Sequence, residues 1–118
     1  MQYLLLIYQS EEATKSRSEA EAKATYAEYG QLTASIKESG HYKGGNALQP
    51  VATATKVQVR NGKTMTTDGP FAETREQLGG YYLIDAAHLD DAIGIAARIP
   101  AARNGSIEIR PIWAVPAA

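Results

Sequence analysis

Three carboxylates and a guanidinium crowd one stretch of this chain, TTDGPFAETREQLGGYYLI, residues 66–84: Asp68, Glu73, Glu76 and Arg75. Two carboxylates sharing a site resist double ionisation. One pKa then rises toward neutrality, and the pair can give and take a proton. Asp68 is the candidate acid/base group, and Glu73, Arg75 and Glu76 are candidates for orienting a polar ligand. The same residues have a plainer reading. Asp-Gly-Pro is turn chemistry, in which the Asp oxygens accept from backbone N–H groups just beyond and fix the loop. Pro70 and Phe71 then hold the loop against the core. The charges that follow form an internal ion pair or a solvated surface, and exposed pairs stabilise little. The acids lack the order of a calcium loop and no His lies in the stretch, so no metal and no cofactor are expected.

His41 is the second catalytic candidate. Its unperturbed pKa lies near neutrality, and the neighbouring glycines of KGGN would let it face a cleft. A lone His is as readily structural. His88 stands three residues before Asp91 and reads as the N-cap of a helix. Tyr82 is the candidate aromatic ligand contact, although Tyr3, Tyr8, Tyr81 and Tyr82 all read equally as core. Gly79-Gly80 leads into a strand rather than a helix, so close backbone approach or a bulge is expected there, not a phosphate cradle. No G-x-S-x-G elbow supports a hydrolase.

The elements that must position these residues follow from periodicity. Gln2–Tyr8 (QYLLLIY) and Gly80–Asp85 (GYYLID) are apolar at nearly every position, as strands buried on both faces are. QSEEATKSRS reads as a loop. Ser18 with Glu21 forms a capping box that opens a helix over 19–39, with Ala22, Tyr26, Tyr29, Leu32, Thr33 and Ile36 as its stripe. Gly30 inside that helix suggests a close packing contact, and Gly40 is its stop. HYKGGNALQP reads as a loop, with a short strand start as the alternative, and VATATKVQVR (51–60) as a strand. Asn61-Gly62 then turns the chain back along that strand's end. A second helix runs over 89–99 to Pro100, and a last strand over 106–112 is confined to an edge by Pro111.

This order, β-α-β-β-α-β with an extra hairpin in the central connection, predicts one α+β domain over 1–118. It is ferredoxin-like: an antiparallel sheet with two helices on one face and the two apolar strands in the centre. The uncovered face then exposes apolar residues, and a two-fold homodimer through that open face is expected. With 12 basic and 13 acidic residues and a net charge of −1, no basic stripe favours nucleic acid. Cys is absent, so neither disulfides nor a thiolate nucleophile enter. No signal peptide or membrane span is read, and a cytoplasmic protein without a membrane partner is expected.

The motif Thr67-Asp68-Gly69-Pro70-Phe71, with Glu73, Arg75-Glu76 and Gly79-Gly80, resembles the DGPF proteins of the YCII-related superfamily. The stretches ESGHYKGGNALQP and LDDAIGIAARIPAARNGSIEIRPI extend the likeness over nearly the whole chain. The resemblance implies a dimeric α+β barrel. Its wider relatives include small-molecule enzymes such as dehydrochlorinases, and some DGPF proteins occur beside or fused to sigma-factor-like transcription proteins. A His–Asp pair is proposed as the active site of some relatives, with the His near the start of the first helix. SEAEAKATYAEYGQL holds no His, so that pair is not carried over. Two readings stay open. One is acid/base transformation or binding of a small polar or aromatic metabolite in a dimer cleft. The other is a non-catalytic dimeric regulatory module.

Overall fold

The computed structural model describes residues 1–70 and 74–116. The predicted Glu73 contact and the Phe71 packing lie outside the described residues. The element order is β1 (Gln2–Gln9), α1 (Glu11–Lys15), α2 (Glu19–Glu38), β2 (Tyr42–Ala47), β3 (Thr55–Arg60), β4 (Lys63–Asp68), β5 (Gln77–Asp85), α3 (Leu89–Ala96) and β6 (Ser106–Pro111). Short 3-10 turns cover Val51–Thr53 and Pro100–Arg103. The fold is α+β with antiparallel pairing throughout. One sheet has the order β2-β5-β1-β6, and β3 with β4 forms a separate two-stranded sheet.

The two apolar strands are the central pair, as their sequence requires. Leu5 faces Tyr82 and Tyr3 faces Ile84 across the β1–β5 ladder. Tyr3, Leu5, Ile7, Tyr82 and Ile84 are buried beneath both long helices, against Leu32 and Ile36 of α2 and Ala92, Ile95 and Ala96 of α3. Leu4, Leu6, Tyr8 and Leu83 alternate onto the other face, which no helix among the described residues covers, and are only partly covered. Gly79 is the extra residue of a β-bulge, where the register slips between Ile7 opposite Gly80 and Tyr8 opposite Leu78. A Cβ on Gly80 would sit 2.9 Å from the Asn46 carbonyl oxygen. Bulge and close approach together account for the Gly-Gly pair.

Four expectations are corrected. The edge strand beside β5 is residues 42–47, not 51–60. Asn61, with φ of 52°, and Gly62, with φ of 74°, make a tight local turn, and the chain after it pairs with β3 along its full length, from Thr55–Asp68 to Arg60–Lys63. That local closure uses the β-branched strand and leaves the edge to the glycine-bearing YKGGNA, whose bare backbone fits against Tyr82. The predicted loop after β1 contains α1, because the Ser10 hydroxyl accepts from Ala13 N–H at 3.1 Å and Glu11 and Glu12 stand in its first turn. The second long helix stops at Ala96, before the 3-10 turn that Pro100 begins. Gly30 has open space where a Cβ would be, so no packing contact explains it. The Ser18 cap, the left-handed Gly40 at φ 82° and the His88 cap are all present, His88 Nδ1 accepting from Asp91 N–H at 3.3 Å.

Candidate binding site

A cavity of about 570 Å³ opens between α2 and the β2–β5 edge, on the helix-covered face. Its chemistry begins with glycine. Gly45 of β2 lies beneath Tyr82, and a Cβ there would meet the Tyr82 ring at 2.9 Å. With Gly80 and Ala47 it gives that wall a floor of backbone and small side chains. Tyr26, Tyr29, Tyr42 and Tyr82 contribute to the lining. The Tyr82 hydroxyl and Thr33 Oγ1 share a hydrogen bond of 2.8 Å, tying the central strand to α2. The Tyr42 ring meets Tyr82 edge-on, with centroids 6.3 Å apart and planes at 74°. Lys37 caps the Tyr42 ring 4.9 Å from its centroid. Burial pushes the Tyr29 phenol above its ordinary pKa, against the lowering effect of a hydrogen bond with the Ala101 backbone, so Tyr29 stays a neutral hydroxyl.

A smaller, more polar cavity of about 280 Å³ adjoins it. Gln9, Thr14, Arg17, Thr25 and Tyr29 line both spaces. The short α1 and the first turns of α2 bring Thr14, Arg17 and Thr25 together there. Arg17 and Thr14 come from the stretch read as a loop. An arginine between two serines belongs to no motif, so no sequence signal pointed to them.

The predicted site residues are distributed over the molecule. Among the described ones, Tyr82 alone lines the larger cavity. Asp68 ends the hairpin, is exposed, and its Oδ1 is 3.5 Å from the Thr55 hydroxyl. Beyond it the Gly69–Pro70 peptide bond is cis. Arg75 and Glu76 line a broad open groove beside Glu11, Glu12 and Gln77. There Glu76 Oε1 accepts from the Ser106 hydroxyl at 3.0 Å. His41 is at the opposite end of the sheet. Its Nε2 lies 3.0 Å from Asp91 Oδ2 and its Nδ1 2.7 Å from Ser39 Oγ. The backbone N–H of Ala87, followed by the His41 contact, lowers the Asp91 pKa. This Ser39–His41–Asp91 chain joins the end of α2 to the start of α3, and none of the three lines a cavity described above. Among the described residues, no cluster of three or more His, Asp or Glu is placed to hold a metal ion. No helix among them is long and apolar enough to cross a membrane.

The description of a YCII-related domain matches residues 1–116. The chain is 36% identical over 114 residues to an uncharacterised protein, R00369, of Rhizobium meliloti (strain 1021), a match covering 95% of this chain and 92% of that one. By this match over nearly its whole length and this degree of identity, the chain belongs to the YCII-related family.

Proposed function

We propose that this protein binds a compact, partly aromatic metabolite in the cavity between α2 and the β2–β5 edge. One observation carries the reading: a space of about 570 Å³, within the range of about 300–1,000 Å³ usual for small-molecule sites, walled by tyrosines over a glycine floor. Tyr82 is a ligand-facing residue in this reading. An acid/base step at Asp68 or His41 would need a different surface, since neither lines this cavity. The larger assembly is part of the proposal. The sheet is a ferredoxin-like half, and two copies meet across the open face of Leu4, Leu6, Tyr8 and Leu83 to make an α+β barrel, with the helices and their cavities outside.

A thermal-shift screen of small phenols and aromatic acids tests the binding reading. A ligand at 100 times its Kd stabilises by about 2.7 kcal/mol, so a binder raises the wild-type melting temperature. Thr25→Trp fills the junction of the two cavities and is expected to abolish that rise while leaving the circular dichroism spectrum unchanged. A screen in which nothing protects the wild type, or in which Thr25→Trp responds equally, overturns the reading.

A further inference from the structure

We infer that Arg17 is the anchor for a single negative charge on the ligand, so that the cavity selects aromatic monoanions over their neutral analogues. This rests on the binding reading above and adds to it a charge and a residue.

Arg17 is the one charged residue among the described lining of the larger cavity. It is half-buried, and among the described residues it enters no ion pair. The smaller cavity has two other charged walls, and both are engaged. Glu21 accepts from the Ser18 hydroxyl at 3.1 Å, and Arg103 holds Glu28 through two bonds of 2.9 Å. The Tyr29 phenol, which lines both spaces with Arg17, supplies no compensating negative charge. Burial keeps that phenol protonated even though Arg17 favours its ionised form.

In the larger cavity the guanidinium stands beside phenols with no carboxylate among the described lining. The Glu21 carboxylate of the adjoining space is engaged by Ser18, which leaves the larger space with a positive potential. A carboxylate meets it with two parallel N–H···O bonds, a geometry that lysine does not reproduce. The ring of such a ligand would lie among the tyrosines. A dianion would need a second uncommitted cation, and Arg103 is already bidentate with Glu28. One charge and one ring are therefore what the walls complement.

The test is isothermal titration calorimetry on the full chain with 4-hydroxybenzoate and its neutral counterpart 4-hydroxybenzamide. The wild type is expected to bind the acid at least roughly tenfold more tightly than the amide, a difference of about 1.4 kcal/mol. Arg17→Gln is expected to bind the acid no more tightly than that same variant binds the amide. Arg17→Lys, which keeps the charge but not the fork, restores part of the preference. Raising the salt concentration narrows the gap in the wild type and not in Arg17→Gln. Equal binding of acid and amide by the wild type, or an Arg17→Gln variant that still prefers the acid, overturns the charge assignment and leaves the binding reading standing. If neither compound binds and the wider screen also protects nothing, both fall together.

Discussion

Gly30 and Gly105 show how far one residue type can differ in meaning. A methyl group on Gly30 would enter open space on the surface of α2, so Gly30→Ala is expected to raise stability by about 0.5–1 kcal/mol through helix propensity. A methyl group on Gly105 would stand 2.2 Å from the Tyr8 carbonyl oxygen and 3.1 Å from that of Ala101. Gly105→Ala is expected to destabilise by about 1–3 kcal/mol, since backbone must move to admit it. Chemical denaturation of both variants checks the opposite signs. Titration gives a further test at this scale. The folded-state pKa of Asp91 is depressed, first by the Ala87 N–H and then by His41. Its contribution is therefore present above the unfolded carboxylate value, about 3.9, and is lost as pH falls through the folded value. Asp91→Asn should melt below the wild type at pH 7, and that gap should close as the pH is taken below about 4. Local signals such as the Ser18 box, the Gly40 stop and the His88 cap were legible because each involves neighbours in sequence. Arg17 was not, because its surroundings are assembled from α1, α2 and the sheet edge.

At the scale of elements, hydrophobic pattern identified the central strands, both long helices and the edge strand β6, and failed at the other sheet edge. YKGGNA has almost no strand signature, yet it pairs with β5 because Gly45 can lie under Tyr82 and Ala47 can face Gly80. VATATKVQVR has the stronger signature, and Asn61-Gly62 directs it into a local hairpin instead. Val57, Val59 and Met65 on that hairpin are 60%, 58% and 49% exposed, so it packs little against the rest of the chain. An isolated two-stranded ribbon is marginally stable in water. In hydrogen exchange on monomeric protein, amides of β3 and β4 should lose protection orders of magnitude faster than those of β1 and β5. Slow exchange in the hairpin of a monomer would show that it is held by contacts outside the ribbon.

The whole molecule is flat, 48 × 47 × 19 Å, with a radius of gyration of 16.5 Å. A compact chain of this length would have about 13.5 Å. The projecting hairpin and the single helical layer account for the excess. Composition and strand patterning made the open face legible in advance, since a sheet of doubly apolar strands has two faces and two helices cover one. What no single-chain pattern could specify is where the hairpin goes once a second copy is present. The proposed assembly predicts a sedimenting species of twice the 12.7 kDa chain mass. Leu6→Lys, placing a charge at the centre of the open face, should shift it to one chain mass without loss of helix signal. A wild type that sediments as a single chain at high concentration would rule the assembly out.

The central ladder has a consequence for how the protein is made. β1 is residues 2–9, and its two neighbours are residues 77–85 and 106–111. Among the strands of this sheet, the first to leave a ribosome is thus the one whose partners emerge last. At about 5–20 residues per second, roughly 3–14 s pass before β5 begins to appear. Through that interval QYLLLIYQ has no native strand partner, which makes nascent β1, rather than any finished surface, the point where a holdase would be expected to grip.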